Sequence, residues 1–439
     1  MSINRRAFLG SLLAGGVSAV AQPRGESTDS FLFREESKKG FSILQGMTDE
    51  SSAQFSLVLP KNGKWAVEIV RADGLGFSPV VSEETVVRSY SGSAVRKVFV
   101  EGLHVGVLYL LRVKDSTGDL WDEREFYALD LSPRRVRVAF LSCMLDLLHR
   151  DDIWRRFEAA APEAVLFLGD NVYADRTSFI NKNPADEKQL WERYVLTRNR
   201  VSMYFQRRLR PVLATWDDHD FGADNAYRDF PWAAASKFTF ETFFAQTPRP
   251  SLLAGPGIAR RWTAFGADFV LLDGRTFRDD ARLADAKIIG DEQERWMLDG
   301  AVAGRPTWLL NGSVYFGAYQ NSESFEGNFP RDFADFLGKL SSSPALHCFV
   351  SGDVHFSEVM DIEAAKIGYP TFELIASSMH SYSFPGHENR FYNPRRRVST
   401  GSHNFVIFEG TFNENNLSGE LISYSATHQE FRASVSVAR

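Results

Sequence analysis

Hydrophobic and polar positions follow two different patterns along the chain. Over residues 41–130 the apolar side chains come in short runs, at 55–59, 65–70, 98–100, 107–113 and 125–128, separated by turn-type residues. Such runs, rich in β-branched and aromatic side chains, read as strands, and no helical periodicity of comparable strength lies between them. Closely spaced strands of this kind predict a small all-β sandwich of immunoglobulin or fibronectin type. From Pro133 the pattern changes. Residues 136–141 form a run apolar but for Arg137, 151–160 place Ile153, Trp154 and Phe157 on one helical face, and 164–168 are apolar throughout. This is a β-α-β unit, which builds parallel sheet and leaves ligand sites beyond the carboxyl ends of its strands. Further buried strands are expected at 212–216, 269–272, 307–310 and 348–350. The reading is an α/β protein with a β-sandwich domain over 31–132 and a catalytic domain over 133–439.

Polar residues just after these apolar strands bring in the chemistry. Four segments carry metal-capable side chains there: Ser142-Cys143, Gly169-Asp170-Asn171-Val172-Tyr173, Trp216-Asp217-Asp218-His219-Asp220 and Ser351-Gly352-Asp353-Val354-His355. Taken singly, each has a bland reading: a turn aspartate, a core tyrosine, a small buried cysteine, a structural histidine. Their shared position reverses that. Carboxylates gathered at one sheet edge repel one another unless cations neutralise them. Two adjacent metal ions polarise a phosphoryl oxygen and acidify water, so the pattern points to phosphoester hydrolysis. Asp353 and His355 alternate at a strand exit and can face one side. Asp217 and Asp220 are read as supports for the loop, with Asp218 as the ligand.

Together with Leu272-Asp273-Gly274-Arg275-Thr276-Phe277-Arg278-Asp279, these segments resemble, in order and spacing, the motif series of PhoD-type alkaline phosphatases. These belong to the calcineurin-like metallophosphoesterases, and the resemblance implies their four-layer α/β/β/α architecture. It further implies that Cys143, Asp170, Tyr173 and His355 hold one metal, with Asp170 bridging to a second held by Asp218 and Asp353. The implied ions are Fe³⁺ and Ca²⁺, although other divalent ions suit a carboxylate-rich site. Metal-activated hydroxide would be the nucleophile, and His219 would stabilise the transition state or protonate the leaving group. Asn225 and Asn311 are further candidates for the second metal or a phosphate oxygen. Arg275 and Arg278 are candidates for phosphate, and Arg395-Arg396-Arg397 for a cationic rim.

Composition narrows the alternatives. With 44% hydrophobic and 24% charged residues the chain is neither disordered nor fibrous. A net charge of -6 gives no basic face for nucleic acid. Two cysteines, Cys143 and Cys348, do not make a disulfide framework. Asn4-Arg5-Arg6-Ala7-Phe8-Leu9, followed by Ala19-Val20-Ala21, reads as a twin-arginine signal over 1–21, with a flexible linker over 22–30. The expected partners are the twin-arginine export machinery, a signal peptidase and a phosphoester substrate. The expected location is periplasmic or secreted, with no transmembrane segment in the mature chain. Two alternatives accompany this reading: a phosphodiesterase acting on phospholipid or wall polymer, and a non-catalytic, metal-stabilised binding protein of the envelope. No Gly-x-Ser-x-Gly elbow supports a serine hydrolase.

Overall fold

The computed structural model describes residues 40–178, 181–246, 253–317, 319 and 323–439. The expected export signal and linker lie outside the described residues.

Seven strands come first: β1 (Ser42–Thr48), β2 (Ser52–Pro60), β3 (Ala66–Arg71), β4 (Val80–Val87), β5 (Ser93–Glu101), β6 (Leu108–Lys114) and β7 (Leu120–Tyr127). They form two antiparallel sheets, ordered β1-β2-β5-β4 and β3-β6-β7. Phe55, Leu57, Val98 and Val100 from the first sheet share one apolar cluster with Ile69, Tyr109, Leu111 and Phe126 from the second. The alternating burial of β6 and β7 follows from this one-sided contact. By contrast, β2 is buried on both faces, because the helices Glu187–Arg200 and Ala233–Phe243 cover its other side. Arg198 fastens that side: its guanidinium donates to Ser56 Oγ, Ser56 O and Phe243 O at 2.8 Å each and to Ser42 Oγ at 3.0 Å.

The remaining strands are β8 (Val136–Leu141), β9 (Ala164–Leu168), β10 (Val212–Thr215), β11 (Arg260–Ala264), β12 (Ala267–Leu271), β13 (Pro306–Leu310), β14 (Leu346–Ser351), β15 (Ser357–Ile362), β16 (Thr371–Ile375), β17 (Arg396–Thr400), β18 (Phe405–Asn413), β19 (Asn416–Tyr424) and β20 (Gln429–Ala438). A six-stranded sheet runs β10-β9-β8-β18-β19-β20, and a seven-stranded sheet runs β11-β12-β13-β14-β16-β15-β17. In the first sheet β8, β9 and β10 are parallel, and in the second β12, β13, β14 and β16 are parallel.

Alternate side chains of β8 and β9 go to different cores. Val138, Phe140, Leu166 and Leu168 meet Phe269, Trp308 and Val350 of the other sheet, and the Phe140 and Trp308 rings lie 5.2 Å apart. Ala139, Leu141, Val165 and Phe167 pack instead with Ile153, Trp154 and Phe157 of the helix Asp151–Ala160. Apolar demand on both faces explains the nearly unbroken hydrophobic runs, which only Arg137 interrupts. It also leaves the strand ends as the place where polar residues can stand.

Candidate active site

Cys143, Asp170, Asp218 and Asp353 each follow a parallel strand, namely β8, β9, β10 and β14. The backbone there is unusual. Among the described residues eight non-glycine positions have positive φ, and five are predicted site residues: Cys143 (56°), Asp170 (52°), Asn225 (56°), Asp353 (70°) and His355 (60°). Each such conformation costs about 1–3 kcal/mol, and strain of this kind concentrates where side chains must converge. Gly169 shows why the loops can meet. Its φ is +93°, and a Cβ there would stand 2.6 Å from Asp217 Cβ and 2.8 Å from Asp217 N. Glycine therefore lets the loop after β9 lie against the loop after β10.

The convergence produces two donor groups. Ligand atoms of Cys143, Asp170 and His355 all lie within 4.8 Å of one another, as do those of Asp170, Asp218 and His219. Asp170 belongs to both. Cys143 Sγ is 3.6 Å from Asp170 Oδ2, and Tyr173 OH is 3.2 Å from His355 Nε2. Asp353 reaches the first group through its carbonyl oxygen, 3.7 Å from Cys143 Sγ, while its carboxylate belongs to neither group.

Electrostatics favour a cation in this space. Asp170 is buried, and its Oδ1 has no hydrogen-bond partner. Burial, reinforced by Asp218 and Asp217, pushes its carboxyl well above the ordinary range. Burial together with Asp217 and Asp218 does the same to Asp353. The Cys143 thiol and the Tyr173 phenol are pushed up by burial and by Asp170. Burial also drives His355 down to about 3, which leaves its imidazole neutral and able to ligate. Asp218 differs: burial opposes its charge, but His219, Arg275 and the Asn225 N–H hold it below the usual range. Buried acids with an orphaned oxygen, a thiol, a phenol and a neutral imidazole form a donor set that fits metal ions.

Surrounding groups fix this arrangement. His219 Nδ1 lies 2.7 Å from Oδ1 of the wholly buried Asp175, and the His219 ring packs 4.2 Å from that of Tyr173. Asp218 accepts from the N–H groups of His219 at 2.8 Å and Asn225 at 2.6 Å. Asn225 thus contributes its backbone to the site. Asp217 accepts from Arg275 Nε at 2.6 Å, and Asp220 accepts from Val172 N at 2.9 Å, so both carboxylates serve the loops. Asn311 is buried with Nδ2 donating to Ser313 O and Oδ1 left without a partner.

The arginines lie differently from the phosphate-binding expectation. Arg275 and Arg278 are buried, and Asp217, Ala226 O, Gly274 O, Ser313 Oγ and Glu323 take up their donors. Arg275 braces Asp217 directly, and Arg278 holds Ser313, whose hydroxyl donates to Asp217 at 3.2 Å. Arg395 is likewise paired with Glu326 and Glu363, Arg396 with Glu358, and Arg397 with Asp361. Four residues that sequence reasoning passed over complete the surroundings: Asp175, Glu323, Ser377 and Ser381. Cys348 is a buried free thiol in β14.

Thiol, carboxylate, phenol and imidazole donors gathered at parallel strand ends define the class of metal-binding hydrolytic sites. Residues 140–421 match the family described as PhoD-like phosphatase. That stretch is well over half of the 439 residues, and the chain belongs to this family. It is therefore a phosphoester hydrolase. Among solved structures, one described as the structure of PhoD superposes with a TM-score of 0.64 at 17% identity, covering 92% of this chain and 94% of that one. The mixed α/β fold is shared with it. A second, from Streptococcus pneumoniae TIGR4 and described as a conserved uncharacterized protein and predicted phosphoesterase, has a TM-score of 0.26 at 9% identity, covering 70% of this chain and 100% of that one; at that score it adds no argument. No curated protein matches the chain.

Proposed function

We propose that this chain is an exported alkaline phosphatase or phosphodiesterase working at a dinuclear metal centre. One observation carries the reading: two largely buried donor groups share a single carboxylate, Asp170. On the family resemblance, Cys143, Asp170, Tyr173 and His355 would hold one ion, and Asp218 and Asp353, with Asp170 between, the other; in the structure His219 stands with the second group and the Asp353 carboxylate outside both. The family resemblance points to Fe³⁺ and Ca²⁺, and a thiol-phenol-imidazole set beside a carboxylate-rich one agrees with one transition-metal ion and one hard divalent ion. When bound, the ions supply Lewis acidity toward a phosphoryl oxygen and toward attacking water.

The chain's own residues supply orientation and the proton. With Nδ1 engaged by Asp175, His219 keeps Nε2 for the substrate, where it can protonate a leaving-group oxygen. The Tyr173 ring fixes the plane of that imidazole. Arg275 neutralises Asp217, so that this acid does not compete for the ion.

The wider reading extends to architecture and location. The shared apolar cluster supports a β-sandwich domain over 31–132, of which 31–39 lie outside the described residues, and the two larger sheets packed through Phe140 and Trp308, with the helix Asp151–Ala160 on the far side of the first, support the four-layer arrangement over 133–439. The twin arginines and the Ala19-Val20-Ala21 segment support export, and no described helix is long and apolar enough to cross a membrane.

Asp170→Asn should abolish both metal binding and hydrolysis. His219→Ala should retain metal and lower kcat by about 10²–10⁴-fold. Metal content and rate unchanged in Asp170→Asn would remove the centre from this site.

A further inference from the structure

Two serines in the loop after β16 touch donors of the candidate centre. Ser377 Oγ lies 3.2 Å from Cys143 Sγ and accepts from the His355 N–H at 3.0 Å. A hydroxyl has one proton to give and two acceptor positions. Because His355 supplies a hydrogen to the oxygen, the Ser377 proton is available to the sulfur. Ser142 Oγ also lies near that sulfur, at 3.4 Å, but its closer partner is the Ala376 carbonyl at 2.9 Å. Ser377 is therefore the better hydroxyl donor to Cys143.

Ser381 stands at the phenol, where either hydroxyl can donate while Tyr173 is protonated and only Ser381 can once Tyr173 is a phenolate ligand. Its Oγ is 2.9 Å from Tyr173 OH and 3.2 Å from His355 Nε2. Ser378 Oγ holds its backbone N–H at 2.9 Å, and Ser383 Oγ holds the His355 carbonyl at 2.7 Å. Ser377 and Ser381 are both wholly buried, so solvent does not compete for these bonds.

We propose that Ser377 and Ser381 are positioning residues of the metal centre, donating hydrogen bonds to the Cys143 sulfur and the Tyr173 oxygen and so weakening electron donation by each to a bound ion. The inference rests on the metal-centre reading above. Hydrogen bonds to ligand atoms orient them and tune the potential of the ion they hold.

The test uses the full-length protein loaded with Fe³⁺, whose thiolate and phenolate ligands give visible charge-transfer absorption. Removing a hydrogen bond raises the ligand's donor level. Ser377→Ala and Ser381→Ala should each move the absorption to lower energy and lower the Fe³⁺/Fe²⁺ midpoint potential. The two shifts should add, since they act on different ligands, and Ser377→Thr and Ser381→Thr, which keep the hydroxyl, should restore the wild-type values. Should one alanine variant lose iron, the other carries the test. A wild-type band that neither alanine variant moves overturns the role of the serines and leaves the metal centre standing. A folded wild-type protein that takes up no iron and shows no band overturns the centre itself, and the serine proposal with it.

Discussion

Asp175 lies two positions past Tyr173, wholly buried, with one oxygen 2.7 Å from His219 Nδ1. A carboxylate in that position selects the imidazole tautomer and holds the ring. Asp175→Asn should lower kcat by roughly 10–100-fold, with metal content and KM nearly unchanged, as steady-state kinetics beside metal analysis would show; an undiminished kcat would mean that His219 acts without this partner. Asp175 gave no signal in the sequence, since an acid beside an arginine in Ala174-Asp175-Arg176 reads as a solvated turn. Cys143, Asp170, Tyr173, His219 and His355 were legible as candidates because each follows within five residues of an apolar parallel strand, β8, β9 or β10 of one sheet or β14 of the other. The arginines were not. Charge marks Arg275 and Arg278 as anion binders without revealing that Asp217 and the distant Glu323 hold them inside the protein.

Loops after the parallel strands carry the strain of the site, and at Gly169 two of them approach closely. Gly169→Ala would place a methyl 2.6 Å from Asp217 Cβ at a φ of +93°. The variant should lose about 1–3 kcal/mol of stability and most of its activity, measured by denaturant unfolding and by hydrolysis; wild-type stability would contradict the close approach. The strands that frame this turn were readable because β8, β9 and β10 are buried on both faces nearly throughout and are therefore apolar but for Arg137 and Thr215. β4 escaped for the opposite reason: Val80–Val87 is an edge strand exposed along nearly its whole length, and its Ser-Glu-Glu-Thr centre breaks the apolar run. β20 alternates buried and exposed residues along most of Gln429–Ala438. That signal is present in the sequence, but a search for continuous apolar runs passes over it. The loop after β16 offers no periodicity at all, so the serines that reach Cys143 and Tyr173 become visible only in three dimensions.

Across the whole molecule, buried histidine links stability to pH. His347 in β14 is driven down to about 3 by burial, with Arg439 and Arg261 adding positive charge nearby, and its Nε2 pairs with Ser343 Oγ at 2.9 Å. In the unfolded chain a histidine titrates near about 6.5. The unfolded state then binds a proton that the folded state refuses, so this residue's contribution is intact above about pH 6.5 and is lost as pH falls toward the folded value near 3. His347→Gln should reduce the pH slope of the unfolding free energy between about pH 4 and 6 by up to one proton. An identical slope in the variant would place His347 in water.

On the proposed function, the buried acids around Asp170 are held together by metal ions that the hydrolysis requires. Elemental analysis of the purified protein, paired with hydrolysis of a chromogenic phosphomonoester and a matched bis-ester before and after chelation, tests it most directly. About two metal ions per chain are expected, iron and calcium on the family resemblance, with turnover that chelation removes and re-addition of the ions restores. Correctly folded protein that contains no metal, or that hydrolyses both esters equally well after chelation, would contradict the account.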